Sequence, residues 1–435
     1  RMKGAAGLLT ALLLAFQLSA QTFALANEDN GIKVVPVNFT HNGYSYEIEG
    51  VAKSTEGDYQ IKSPSRLAAR KLPSAYDPRS LGEITTVKDQ ASTGACWAFS
   101  ALACAEQDLI KKGLENPSAE FSVPALVLSS NSGTATGKDD FSSGGNWLFA
   151  ASALANGQGL CYEDYEPFLE SGTENMIVSE NKKSVSEYRL NYVMELSSTT
   201  QVKRKIMELG AVSASYFAGN GYMNHNNTAY YDPDASKNTI INHSVTVVGW
   251  DDNYSKDNFR YKPANNGAWL VKGSWGADQD NDGFYWVSYD EAEFGQFCCY
   301  DFEESCDNTY HYSKMTGYVV NASNDGSVYG ANVFTAKADE KLDKAGFMYV
   351  GKTGSADYTL SVYTDVSDSD PIGVLETQIS GSVSANGFYT VDFPEDILLE
   401  EGEKYSISVK FSGDSGRGYL LAESDRTSKA QSGQS

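Results

Sequence analysis

Residues 88–100, Lys-Asp-Gln-Ala-Ser-Thr-Gly-Ala-Cys-Trp-Ala-Phe-Ser, constrain this chain more than any other stretch. Cys96 opens an apolar, helix-like run after a turn of small residues, with Gln90 six positions earlier. A thiol at a helix N-terminus faces unpaired N–H groups and the positive end of the helix dipole, which favours the thiolate. Gly94 and Ala95 keep the approach to it narrow. The Gln90 carboxamide can donate to an oxyanion beside the Cys96 N–H, so one stretch carries a nucleophile and the donors for the charge its attack creates. The competing reading is a buried helix with an inert cysteine, and a base elsewhere in the chain decides between the two.

Gln90 and Gly94-Ala95-Cys96-Trp97-Ala98-Phe99 resemble the active-site motif of papain-like cysteine peptidases. The resemblance extends over about residues 71–297, starting with Leu72-Pro73-Ser74-Ala75-Tyr76-Asp77-Pro78-Arg79, which is similar to the mature N-terminal strand of that family. Of the four histidines, His243 alone sits in a context that suggests chemistry. It falls 147 residues after Cys96, at the head of the apolar strand His243-Ser244-Val245-Thr246-Val247-Val248-Gly249-Trp250, a separation that fits a papain-like base. Across a cleft between two lobes its imidazole would form a thiolate–imidazolium pair with Cys96 and later protonate the leaving amine.

The resemblance implies further site residues. Gly144-Gly145 matches the segment that pairs with substrate backbone near the scissile bond, a β-augmentation mode. Trp275 would shield the catalytic pair from solvent. Trp269-Leu270-Val271-Lys272-Gly273-Ser274-Trp275-Gly276 looks like a second-lobe strand of the family, but Gly273 stands where the family has the asparagine that orients the histidine. Glycine offers no acceptor, and such a group fixes ring tautomer and direction. The site should therefore be looser, or should borrow an acceptor such as Asn265, Asn266 or a water. Dispersed positions such as Ser215 and Ile241 would line the substrate pocket. The usual family disulfide beside the nucleophile has lost both halves, with Thr93 and Ser142 or Ser143 in those places. Cys104 reads as a small core residue. Cys298, Cys299 and Cys306 cluster closely enough for one local disulfide in an oxidising compartment, and zinc is disfavoured for want of a fourth ligand.

Residues 1–26 read as a secretory signal peptide, with Arg1 and Lys3, an apolar run from Ala5 to Leu18, and Ala24-Leu25-Ala26 as cleavage site. Residues 27–70 occupy the place of a short pro-region, with Val34 to Phe39 extended; a strand permanently added to a domain is the alternative. A net charge of −23 disfavours nucleic acid and anionic membrane as partners and suits a secreted or cell-surface protein. The reading calls for no cofactor and no metal: Asp251 to Asn266 reads as a polar surface loop, and Asp278 to Gly283 as a solvated turn rather than a calcium loop.

From about Met315 the texture changes to short alternating segments, among them Tyr358 to Val362, Tyr389 to Phe393 and Tyr405 to Phe411, as in an antiparallel sandwich. Ala331 to Phe334 and Gly402 to Tyr405 resemble the lectin-like domain of some secreted bacterial papain-like peptidases. The fold expected is α+β: a two-lobed papain-like domain over residues 71–305, with a helical lobe and a β-barrel-like lobe, followed by an all-β sandwich over 316–435 that is incomplete at Ser435. Its function would be hydrolysis of protein or peptide substrates by Cys96, His243 and Gln90, with Gly144, Gly145 and Trp275 contacting substrate. The sandwich would bind a cell-surface glycan or cell-wall partner and be dispensable for short-peptide hydrolysis. The alternative is a weak or inactive relative used for peptide or glycan adhesion.

Overall fold

The computed structural model describes residues 33–41, 44–52, 71–130, 141–142, 144–156, 160–164, 167–168, 187–219, 221–235, 241–277, 280–306, 308–311, 318–321, 328–351, 354–367, 370–412 and 419–422. The signal-peptide expectation for residues 1–26 lies outside them, as does most of 27–70. Within that segment Lys33–His41 (β1) and Tyr44–Ala52 (β2) form an antiparallel hairpin, in keeping with the extended pattern from Val34 to Phe39.

The helix opened by the nucleophile candidate, Cys96–Lys112 (α1), is built from alanines and other good helix formers and ends at Gly113, whose φ of 73° places it in the left-handed region. Every residue from Cys96 to Leu109 is buried, so α1 has no solvent face over most of its length and serves as the central post of the molecule. Val123–Ser130 (α2) and Trp147–Ala155 (α3) pack around it to complete the helical lobe, with Trp97, Leu102, Leu109, Phe121, Leu126 and Phe149 in its core. Cys104 is a core residue here, 1% exposed.

The second lobe is a twisted sheet. Its strands are Ala75–Tyr76 (β3), Tyr188–Leu196 (β4), Val212–Tyr216 (β5), Ala229–Tyr230 (β6), His243–Asp251 (β7), Ala268–Lys272 (β8), Phe284–Ser288 (β9) and Gly295–Glu304 (β10). Thr199–Leu209 (α4), started by a Ser198–Gln201 capping box, lays Val202, Ile206 and Leu209 against it. The central strand order is β4-β10-β5-β7-β8-β9-β6, with β3 paired to β7. Strand β10 divides the two cores. Because neighbouring residues on a strand point to opposite faces, Cys298 enters the helical-lobe core and Cys299 the β-lobe core. That geometry overturns the expected local disulfide: Cys298, Cys299 and Cys306 are free thiols, and Cys306 Sγ instead lies 3.2 Å from Asn308 O.

The remaining strands are Tyr318–Asn321 (β11), Val328–Thr335 (β12), Glu340–Tyr349 (β13), Ala356–Thr364 (β14), Val374–Val383 (β15), Gly387–Leu399 (β16), Lys404–Ser412 (β17) and Tyr419–Ala422 (β18). The alternating segments expected from the sequence fall on β14, β16 and β17. A four-stranded sheet, β12-β17-β14-β15, faces the β13–β16 pair across a core that includes Phe347, Tyr349, Leu360, Phe393, Tyr405 and Phe411. The sandwich is not a separate appendage, however. Gly387, Phe388 and Tyr389 of β16 pair with Met194, Val193 and Tyr192 of β4, so one ten-stranded sheet runs from the lobe bearing His243 into the sandwich. Among the described residues, no helix is long and apolar enough to cross a membrane.

Candidate active site

Two contacts bring the helix that Cys96 opens to the strand that His243 heads. Ser100, one helical turn beyond Cys96, donates from Oγ to Val245 O at 2.7 Å, and Thr246 Oγ1 returns to Ser100 O at 3.4 Å. Val245 lies two residues beyond His243, so the pin sets the start of α1 against the start of β7. Cys96 is 5% exposed and meets Ser244, the residue after His243, through the Ser244 backbone N–H and hydroxyl. The N–H groups of Cys96 and Trp97 also face the sulfur. Burial nevertheless outweighs these donors and pushes the Cys96 thiol up to about 11. Burial thus opposes the thiolate that the helix end favours, and a base is needed to take the proton.

His243 is 5% exposed, and its ring stacks on Trp275 with centroids 4.5 Å apart and planes 7° from parallel. Tyr216 meets the same imidazole edge-on at 5.9 Å. Trp275 thus lies over one face of His243. Ser215 lies across from Ser244 in the β5–β7 ladder, with hydroxyls 3.1 Å apart, and Ile241 is half-buried just ahead of His243.

Gln90 is held by its backbone and its side chain. Its N–H donates to Ser274 O at 2.8 Å, its Oε1 accepts from Ser274 Oγ at 2.6 Å, and its Nε2 donates to Thr93 O at 2.8 Å. A carboxamide nitrogen carries two N–H bonds, so a second remains for an incoming oxyanion. Gly144 and Gly145 form an irregular segment rather than a strand, held tightly against the nucleophile loop. Gly94 N donates to Phe141 O at 2.7 Å, and a Cβ on Gly94 would come within 3.0 Å of Gly144 N. A Cβ on Gly145 would come within 2.4 Å of the Trp97 indole, so only glycine fits.

At Gly273 the backbone is ordinary; what is scarce is room. A Cβ there would stand 3.1 Å from Gly283 O and 3.4 Å from Tyr285 Cε1. Tyr285 is 3% exposed, its hydroxyl lies 2.9 Å from that of Tyr216, and its ring runs within 14° of parallel to Trp275. Tyr285 thus stands beside the start of any side chain at 273, and its partner Tyr216 meets the His243 ring. Of the substitute acceptors considered from sequence, Asn265 is bonded to Asp290 and Asn266 to Lys256 N, both in the exposed loop.

Sequence reading missed a buried ionic cluster under the site. Lys272, 4% exposed, donates to Thr85 Oγ1, which in turn donates to Glu106 Oε2 at 2.7 Å. Lys88 lies 3.4 Å from the other Glu106 oxygen and donates to Phe121 O at 2.9 Å. This cluster ties α1 to the loop carrying Gln90 and to the end of β8. Its signal was a charged residue inside each of two apolar runs, Glu106 in α1 and Lys272 in β8.

The arrangement is two-lobed, with the Cys96 sulfur on a helix of one lobe and the His243 imidazole on a strand of the other. The sequence profile of papain family cysteine proteases matches residues 72–325, more than half of the chain, and a lectin-like domain profile matches residues 309–435. The chain belongs to the papain family of cysteine proteases. In three dimensions it is similar to the cysteine protease and lectin-like domains of Cwp84, a surface layer associated protein of Clostridium difficile. Identity is 27% and the TM-score 0.71, over 86% of this chain and 81% of that one. A structure of clostridial Cwp84 after propeptide cleavage matches at 28% identity and a TM-score of 0.70, over 81% of this chain and 88% of that one. Rat Testin-2 is 27% identical over 221 residues, 50% of this chain and 61% of that protein. Human cathepsin L2 is 26% identical over 224 residues, 51% of this chain and 62% of that protein. The chain thus spans about three-fifths of the length of these curated relatives.

Proposed function

We propose that the chain is a secreted or surface-held cysteine endopeptidase that cleaves protein and peptide substrates. Cys96 gives its proton to His243 as the sulfur attacks the scissile carbonyl carbon. The resulting oxyanion is held by the second Gln90 Nε2 N–H and the Cys96 N–H. His243 then protonates the leaving amine, and a thioester to Cys96 remains. Water attacks that thioester with His243 as base, releasing the acid and returning the proton to sulfur. Gly144 and Gly145 offer backbone to the extended substrate, and Trp275 keeps water from the imidazole.

The observation that carries this reading is the contact of Cys96 with Ser244, the neighbour of His243, at the seam pinned by Ser100. The sequence features of residues 1–26 favour export, and the lectin-like domain favours a cell-surface glycan or cell-wall partner. On this reading residues 71–305 are the peptidase domain, 316–435 the lectin-like domain and 27–70 a short pro-region. Gly273 favours a second reading, a weak or inactive relative that keeps the cleft for peptide binding. Replacing Cys96→Ser and, separately, His243→Ala should each abolish hydrolysis of a short peptide amide in a folded protein. Parent-like turnover in folded Cys96→Ser would overturn the assignment; no turnover in the parent with retained peptide binding would favour the second reading.

A further inference from the structure

The β16–β4 join has a specific chemical link at its end. Gly387 lies so close to β4 that a Cβ would come within 2.0 Å of Val193 O, and the chain just before it buries Asn386, 4% exposed. Asn386 is bonded on three sides: its Oδ1 accepts from Gly351 N at 2.8 Å, its carbonyl accepts from Glu195 N at 2.9 Å, and its Nδ2 donates to Glu195 Oε2 at 3.0 Å. The Glu195 carboxylate, on β4, also accepts from the side chain of Trp147. Trp147 is the first residue of α3 and directly follows Gly144, Gly145 and the helix cap Asn146, whose Oδ1 accepts from Leu148 N at 2.9 Å. Gly145 in turn packs on the Trp97 indole, beside Cys96.

We propose that Asn386, a residue of the lectin-like domain, is a positioning residue for peptide binding: through Glu195 and Trp147 it holds the Gly144–Gly145 edge at the spacing from Cys96 that an extended peptide needs. The proposal rests on the peptidase reading, and it reverses the expectation that the second domain is dispensable. The chain of bonds suits the task because its middle member is a carboxylate removed from water, which is costly to leave short of donors. Removing Asn386 takes away one of the two side-chain donors it has among the described residues, and Trp147 then loses a fixed acceptor position. A backbone edge that shifts weakens substrate in ground and transition states alike, so the effect belongs in KM.

The test uses the full chain with Asn386→Ala, Asn386→Asp, Glu195→Gln and the pair Glu195→Gln/Asn386→Asp. Asn386→Asp sets two carboxylates against each other, whereas the pair restores one donor and one acceptor with the polarity reversed. The expected result is a KM raised by about 3- to 10-fold in Asn386→Ala and more in Asn386→Asp, with kcat within about twofold and KM recovered in the pair. Alkylation of Cys96 by iodoacetamide, which does not use the glycine edge, should keep its parent rate. Amide exchange at residues 144–148 should quicken in the single variants and recover in the pair. Parent exchange at 144–148 in folded Asn386→Ala and Glu195→Gln would overturn the proposal, as would a kcat that falls with KM unchanged. Because exchange needs no turnover, an inactive parent would defeat the peptidase reading while exchange still decides the coupling.

Discussion

Gly273→Asn supplies the side-chain acceptor that the family resemblance places at this position, and the structure sets both its gain and its cost. The backbone at Gly273 is not in the left-handed region, so asparagine meets no conformational penalty there. The added Cβ, however, comes to 3.1 Å from Gly283 O and 3.4 Å from Tyr285 Cε1. Gly283 cannot retreat easily: it has φ 79° and its carbonyl accepts from Gly273 N at 3.1 Å. The Tyr285 ring must yield instead, and crowding of this kind costs about 1–3 kcal/mol of stability. On the other side, an imidazole held in line with Cys96 recovers part of an orientational loss that reaches about 10²-fold, equivalent to about 2.7 kcal/mol of barrier. We expect kcat/KM for a short peptide amide to rise by about 10- to 100-fold, carried by kcat, with a lowered thermal midpoint. Adding Tyr285→Leu should relieve the crowding and restore part of the midpoint. An unchanged kcat/KM in both folded variants would refute the argument, because His243 would then already be oriented by other means.

Gln90→Ala should lower kcat by about 10²- to 10³-fold with little change in KM, since an oxyanion donor acts in the transition state; a matching rise in KM would assign it to ground-state binding. With the Cys96 thiol at about 11 by burial, alkylation of the His243→Ala variant should be slow at neutral pH and climb about tenfold per pH unit toward that value. A neutral-pH plateau in that variant would show that the helix end suffices to ionise the thiol. Burial also pushes Asp108 and Glu291 up to about 7, so the folded chain keeps protons that the unfolded chain releases near pH 4. Between those values the native state binds more protons, and stability must fall as pH rises. The thermal midpoint should therefore be lower at pH 8 than at pH 5, and Glu291→Gln should shrink that drop; a midpoint that rises over this range contradicts it.

Much of the site was legible because its chemistry is local in sequence. Gln90 and Cys96 share one loop-helix unit, and His243 announces itself by sitting at the head of an apolar strand. Strand period two likewise marked β14, β16 and β17. What could not be read was the set of opposing terms at one atom: the helix end favours the Cys96 thiolate, and only the packed structure reveals the burial that works against it. Long-range partners were equally silent. Nothing in the sequence around Ser100 names Val245, and nothing around Asn386 names Glu195, because a strand-edge join needs only a glycine and an exposed backbone. The expected disulfide failed for a related reason: nearness in sequence on a strand puts Cys298 and Cys299 on opposite faces.

The central claim is that Cys96 is the reactive thiol of a peptidase, made so by His243. Its most direct test is stoichiometric labelling by an epoxide-type cysteine inhibitor at neutral pH, with the modified residue located by mass spectrometry and peptide hydrolysis followed in the same sample. Cys306 is a built-in control, being more exposed than Cys96. The account predicts one label per chain, on Cys96, loss of hydrolysis in proportion to label, and no labelling of Cys96 in His243→Ala on the same timescale. Label on Cys306 with Cys96 untouched, or full hydrolysis surviving complete labelling of Cys96, would contradict it.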